Sequence, residues 1–350
     1  MIKSLWKISV INTGGCKISF DFIKIDDEIK SLRILITGVA GFIGSNLLEF
    51  FLSRDFKVKG IDNFATGFRE NIDFAINQSK KQKPELQFSF IEGDIRKYQD
   101  CAKATKDIDI IFHEAALGSV QRSIDKPIDS NEANVDGTLN LLKASIDNKV
   151  KRFIFASSSS VYGDSEVLPK SEEMIPNPKS IYAVSKLASE YYVRLFYNIY
   201  GLETVALRYF NVFGKNQNPN SIYSAVIPIF LKNIKINRPL AVFGDGNQSR
   251  DFSYIDNVIY ANFLAMVSRN NNVFGNYYNV GCGEKISLNE IIGYLERKTG
   301  KKIEVMYKEP RKGDVKSSLA SLVKIKKDLG YEPITDFSNG LENLMNDSLR

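Results

Sequence analysis

The chain has 350 residues, 43% hydrophobic and 25% charged, which excludes a disordered or collagen-like protein and allows about two domains around a large core. Its 47 basic and 41 acidic residues leave a formal charge of +6, scattered in short clusters such as Lys80, Lys81 and Lys83. These read as solvated helix faces, so no nucleic-acid partner is expected. One histidine, His113, and three distant cysteines, Cys16, Cys101 and Cys282, exclude a histidine-based metal site, a zinc pattern and a disulfide framework; a reducing cytoplasm is the expected setting.

Residues 1–31 precede the first clear strand and read as an N-terminal extension. The apolar stretch Ile8–Ile11 is too short for a signal-peptide core, and no run approaches the ~20 apolar residues of a membrane span. From Leu32, short β-branched runs alternate with helix-period stretches. Strands are predicted at Leu32–Thr37, Lys57–Ile61, Leu86–Ile91, Asp109–His113, Arg152–Ala156 and Thr204–Arg208. Helices are predicted at Phe42–Ser53, Ile128–Asn148 and Ile181–Tyr200. This alternation predicts an α/β protein with a Rossmann-like, doubly wound parallel sheet over residues 32–210. Past Tyr209, Pro219, Pro228 and Pro239 interrupt the rhythm, and shorter helices follow at Leu288–Lys298 and Leu322–Leu329. A smaller mixed α/β substrate domain is expected over 211–350, with some segments returning to the main sheet.

Between the first strand and its helix lies Gly38-Val39-Ala40-Gly41-Phe42-Ile43-Gly44. Glycines at this spacing permit a tight turn and close backbone approach to a pyrophosphate at a helix N-terminus. Eighteen residues beyond Gly44, Asp62 ends the second strand. A carboxylate there accepts both adenosine ribose hydroxyls and repels a 2′-phosphate, which favours NAD over NADP. Asp94-Ile95, after the third strand, is a candidate for the adenine edge. His113 ends the fourth strand and reads as a packed histidine, and Asn134 is a poor helix former in mid-helix.

Tyr182 and Lys186 lie four residues apart, on one face of the helix opened by Asn177-Pro178-Lys179-Ser180. A phenol near pKa 10 serves as a base at neutral pH only if its phenolate is stabilised, and an ammonium one turn away does that. The fifth strand runs into Ser157-Ser158-Ser159-Ser160, which puts hydroxyls at the carboxyl edge of the sheet, where doubly wound folds bind ligands. Each signal alone is common; all of them in this order are not.

Together these motifs resemble the extended short-chain dehydrogenase/reductases, and among them the nucleotide-sugar 4-epimerases, with the nearest likeness to bacterial UDP-N-acetylglucosamine 4-epimerases of surface-polysaccharide synthesis. The matching stretches are Leu35–Gly44, Gly60–Gly67, Ala115–Ser123, Ser157–Asp164, Leu207–Gly214, Gly244–Ile255 and Arg311–Ser318. The resemblance implies Ser158, Tyr182 and Lys186 as the catalytic group. Around NAD it implies Gly38, Gly41, Phe42, Ile43, Gly44, Asp62, Asn63, Gly67, Asp94, Ile95, Ala115, Asn134, Lys186 and Tyr209. At the UDP-sugar it implies Ser119, Ser158, Ser160, Asn211, Val226, Arg250, Arg311, Asp314 and Ser318. It further implies a homodimer, no metal, and a reaction in which Tyr182 removes the proton from the sugar 4-hydroxyl while C4 is transiently oxidised. A serine at 318 implies room for an N-acetyl group. Alternatives are a UDP-glucose or UDP-uronic acid 4-epimerase, a 4,6-dehydratase or decarboxylase, or a non-catalytic NAD-binding module. Dehydratase-type relatives carry acidic residues where this chain has Ser159 and Ser160, and the intact Ser158, Tyr182 and Lys186 set argues against a non-catalytic module.

Overall fold

A computed structural model describes residues 25–219, 225–309 and 316–348. Of the N-terminal extension it describes a short helix at Asp27–Lys30; Arg311 and Asp314 lie outside the described residues.

Strands β1 (Arg33–Thr37), β2 (Lys57–Asp62), β3 (Phe88–Glu92), β4 (Ile110–His113), β5 (Arg152–Ser158) and β6 (Glu203–Tyr209) match the six predicted strands within two residues at each end. Chain continues through β7 (Asn211–Phe213), β8 (Leu240–Phe243), β9 (Ser249–Arg250), β10 (Phe252–Tyr254), β11 (Asn276–Val280), β12 (Ile286–Ser287) and β13 (Val305–Lys308). Seven strands form one parallel sheet in the order β11-β6-β5-β4-β1-β2-β3. The chain winds outward from β1 to β3, then returns to β4 and winds the other way. The carboxyl edges of β1 and β4 therefore flank a switch point, where the crevice of a doubly wound sheet opens. Among the described residues, three strand pairs lie outside this sheet: β7 with β10, β8 with β13, and β9 with β12.

Alternation along the strands builds two cores. Ile34, Ile36, Ile154, Ala156, Val205 and Leu207 point to one face, packed with the helices Phe42–Leu52 and Ile255–Val267. Leu35, Phe153, Phe155 and Ala206 point to the other, against Gly137–Asp147 and Ile181–Tyr200. Strands covered on both faces are near-continuously apolar, as the buried runs of β1, β5 and β6 are.

The predicted helix Ile128–Asn148 is not continuous. It comprises a helix at Pro127–Asn131, a π turn at Glu132–Asp136 and a helix at Gly137–Asp147. The wide turn lets the Asn134 side chain reach the loop after β4: its Oδ1 accepts from the Leu117 N–H at 2.8 Å, and its Nδ2 donates to Ser185 Oγ at 2.9 Å. Helix Ile181–Tyr200 has the predicted bounds. Ser180 caps it by accepting from the Ala183 N–H at 3.1 Å, and Gly201 ends it in the left-handed conformation.

Candidate active site

The carboxyl edge of the sheet opens into a cleft of about 820 Å³. On its β1 side, Gly38 takes φ +67° and its N–H donates to Ile61 O at 2.9 Å. A Cβ on Gly38 would meet the Ala115 backbone at 2.8 Å, and one on Gly44 would lie 2.2 Å from Gly38 O. These positions hold the turn flat against the first turn of the Phe42–Leu52 helix. Gly41 caps that helix with no side chain, so the helix opens on bare N–H groups beside the cleft.

Asp62 fastens the turn. Its Oδ2 accepts from the Ala40 N–H at 2.9 Å and its Oδ1 from the Phe64 N–H at 2.8 Å. Burial pushes its carboxyl up, and these backbone donors pull it down. Each oxygen keeps a further lone pair, and Asp62 lines the cleft. Gly67 packs on Ala40, whose carbonyl accepts from the Phe68 N–H at 3.0 Å. Asn63 Nδ2 donates to Asp94 at 3.1 Å, and Arg96 grips the same carboxylate, holding it down near about 2. Asn63, Asp94, Ile95 and Ala115 line this end of the cleft with Phe42 and Ile43.

At the other end stand Ser158, Tyr182, Lys186 and Tyr209. Ser158 closes β5, and its Oγ accepts from the Ser160 N–H at 3.2 Å. Tyr182 is half-buried on the first turn of its helix, where its N–H donates to Ser123 Oγ at 3.0 Å. Burial pushes the Tyr182 phenol up, and a hydrogen bond with Ser158 pulls it down. Buried Lys186 donates to Ala156 O at 2.7 Å; burial lowers its ammonium to about 8, with the Glu114 charge opposing. A serine hydroxyl, a phenol and a depressed ammonium thus converge on one wall, which suits proton transfer at an alcohol.

The other described residues implied at the sugar are not among those that line the cleft. Ser119 sits at φ +109°, a strained conformation for a non-glycine residue, and caps the helix Val120–Asp125. Ser160 lies in the turn after β5, its hydroxyl buried without a partner among the described residues. Asn211 is exposed on β7, and Val226 opens the helix Val226–Lys235, next to Ala225 in the cleft wall. Arg250, on β9, donates to Ser249 O at 3.0 Å. The Ser318 N–H donates to the same Ser249 carbonyl at 3.1 Å, and its hydroxyl is buried without a partner among the described residues.

His113 bridges Thr37 Oγ1 at 2.8 Å and Thr138 Oγ1 at 2.9 Å. Thr37 accepts from the Ala115 N–H and Thr138 donates to Asn134 O, so the network assigns His113 as neutral with its proton on Nε2. Burial and the Lys186 charge lower it to about 3. It is a packed residue that fixes the end of β4. Sequence reasoning missed Glu114, which lines the cleft beside Ala115, and Ser123, which anchors Tyr182. A lone carboxylate between His113 and two alanines was a visible signal for the first. Ser123 carried none, because only packing brings it to Tyr182.

The glycine turn, the bare helix N-terminus and Asp62 form a cradle that side chains would fill, and its polar groups fit a dinucleotide. No group of His, Cys, Asp and Glu among the described residues could hold a metal ion, and no helix among them is long and apolar enough to cross a membrane.

Residues 34–281 match the NAD dependent epimerase/dehydratase family. The fold is similar to that of UDP-N-acetylglucosamine 4-epimerase from Methanobrevibacter ruminantium, solved with UDP-N-acetylmuramic acid, at 35% identity and a TM-score of 0.84 over 91% of this chain and 99% of that one. It is similar to UDP-glucose 4-epimerase of Thermotoga maritima, solved with UDP-glucose, at 33% identity and TM-score 0.83, covering 91% and 100%. It is likewise similar to UDP-glucuronic acid 4-epimerase of Bacillus cereus, solved with UDP-glucuronic acid and NAD, at 33% identity and TM-score 0.82, covering 91% and 100%. With a family match over more than half its length and a cleft built for a dinucleotide and a proton transfer, the chain belongs to the NAD-dependent epimerase/dehydratase family.

Proposed function

We propose that the protein is an NAD-dependent UDP-sugar 4-epimerase and that its preferred pair is UDP-N-acetylglucosamine and UDP-N-acetylgalactosamine. The observation that carries the reading is one cleft joining the glycine turn and Asp62 to Ser158, Tyr182 and Lys186. NAD, when bound, supplies the acceptor and donor of the hydride at sugar C4, with no net redox. Gly38, Gly41 and Gly44 make room for its pyrophosphate, and Asp62 receives the adenosine ribose hydroxyls on its free lone pairs. Tyr182 Oη takes the proton from the sugar O4 and later returns it. Ser158 Oγ holds that oxygen, and Lys186 Nζ supplies the positive charge that makes the phenolate accessible. Arg250 and Arg311 suit the diphosphate, since a guanidinium grips phosphate oxygens with two parallel bonds.

The three relatives named above act on different sugars at nearly equal identity, so the sugar rests on Ser318. Its side chain is short, and its hydroxyl is buried beside β9 with no partner among the described residues. A short side chain with an uncommitted hydroxyl suits an N-acetyl substituent, which a tyrosine would crowd. The test is proton NMR of UDP-GlcNAc, UDP-glucose and UDP-glucuronate with wild type and Ser318→Tyr. Wild type should turn over the acetylated sugar fastest, and the variant should lose it while keeping UDP-glucose. Equal loss on both would overturn the sugar assignment; no turnover of any would overturn the function.

The long helix also carries an exposed apolar face at Val184, Tyr191, Leu195 and Ile199, next to exposed Val120, Ile124 and Ile128. Such a patch supports a homodimer formed by helix pairing. Light scattering should give twice the 39.5 kDa chain mass.

A further inference from the structure

The cleft that Tyr182 and Lys186 line also carries a carboxylate, Glu114, that the proposed reaction does not use. Glu114 Oε1 accepts the Tyr209 hydroxyl at 2.9 Å, and Asn262 Nδ2 donates to that Tyr209 oxygen at 2.7 Å. The carboxylate is thereby locked from β6 and from the helix Ile255–Val267. Its Oε2 is buried with no partner among the described residues. Lys186 commits one N–H to Ala156 O and lines the same cleft as Glu114 and Tyr182. The charged and titratable groups around Glu114 are Tyr209 on β6, and Lys186 and Tyr182 on the long helix; His113, its neighbour on β4, is neutral.

We propose that Glu114 is a positioning residue whose carboxylate competes with the Tyr182 phenolate for the single charge of Lys186, so that Glu114 sets the pH at which the Tyr182–Lys186 pair gives up its first proton. The consequence for turnover rests on the epimerase reading; the electrostatics do not. A carboxylate held here keeps the ammonium charged and opposes a second anion on Tyr182. Burial raises Glu114 itself to about 7, against the pull of Tyr209 and Lys186. Glu114 and the Lys186 ammonium, lowered to about 8, therefore titrate in neighbouring ranges, and the carboxylate charge acts on Tyr182 above them.

The test is Glu114→Gln, which keeps the shape and the acceptor for Tyr209 but removes the charge. Phenolate formation is followed by ultraviolet difference titration of the full-length protein, with the Tyr182→Phe signal subtracted in each background. The onset should fall by about one pH unit in Glu114→Gln, and the acid limb of the kcat profile should move with it. An unchanged or higher onset would overturn the proposal, because a merely structural Glu114 would alter melting alone. If Glu114→Gln fails to fold, Tyr209→Phe removes the donor that stabilises the carboxylate, and should lower the onset by a smaller amount; no movement there would equally overturn it. Absence of turnover by wild type on every UDP-sugar overturns the proposed function, while the titration still decides this one.

Discussion

Glu190→Gln should destabilise the protein by several kcal/mol from a position that does not itself line the cleft. Glu190, on the long helix, and Arg208, on β6, form an ion pair with side chains only 1% exposed. Arg208 donates from Nε at 2.9 Å and from a terminal nitrogen at 2.6 Å, and Ser157 Oγ donates to the same carboxylate at 2.8 Å. Register places Arg208 opposite Ser157 and Tyr209 opposite Ser158, so the pair clamps the strand ends that carry the proposed catalytic serine. The amide keeps the volume but leaves the Arg208 guanidinium without a counter-charge, stacked only on Tyr162 and Tyr277. Stranding a buried charge in this way costs about 3–5 kcal/mol. For a chain of this length the unfolding entropy is about 0.7 kcal/mol/K, so the melting temperature should fall by roughly 4–7 °C. Replacing both partners, Glu190→Leu with Arg208→Met, should recover much of the loss, since a well-packed apolar pair removes the desolvated charges. Calorimetry at pH 7 checks both variants. A Glu190→Gln protein melting with the wild type would show that the buried ion pair does not stabilise the fold.

Tyr182→Phe should lower turnover by about 10²–10⁴-fold and leave the dinucleotide content of denatured, filtered protein unchanged; a variant at half the wild-type rate contradicts its role as the base. His113 gives a pH signature in stability. Its folded pKa of about 3 lies below the ordinary 6.5, so as pH falls the unfolded chain takes up the proton first. Its contribution is complete above pH 6.5 and is lost as pH drops toward about 3, at about 1.4 kcal/mol per pH unit. Urea midpoints measured from pH 6 to pH 4 should therefore fall more steeply for wild type than for His113→Gln, and parallel slopes would refute the assignment.

What was legible in the sequence is what local chemistry decides. The long helix was placed to the residue because Ser180 caps it and Gly201 ends it. The glycine turn and Asp62 were readable because a tight strand–helix turn needs those residue types at that spacing, and they meet through the Ala40 N–H. What was not legible depends on partners distant in the chain. The π turn at Glu132–Asp136 exists so that Asn134 can hold the Leu117 backbone and Ser185, a demand that periodicity does not carry. Strand β11 joins the main sheet beside β6 although some 70 residues separate them, and its run Asn276–Val280 is too polar to stand out. The four consecutive serines look alike in sequence, yet Ser157 gives its hydroxyl to a buried glutamate while Ser158 Oγ accepts from the Ser160 N–H.

The measurement that bears most directly on the proposed epimerisation is proton and deuterium NMR of UDP-sugars deuterated at C4, incubated with purified protein and no added NAD. If Tyr182 removes the O4 proton while the C4 hydrogen leaves as hydride and returns within one closed site, the opposite C4 epimer accumulates with its deuterium retained. No epimer from UDP-GlcNAc, UDP-glucose or UDP-glucuronate, or an epimer whose C4 hydrogen comes from solvent, would contradict the account.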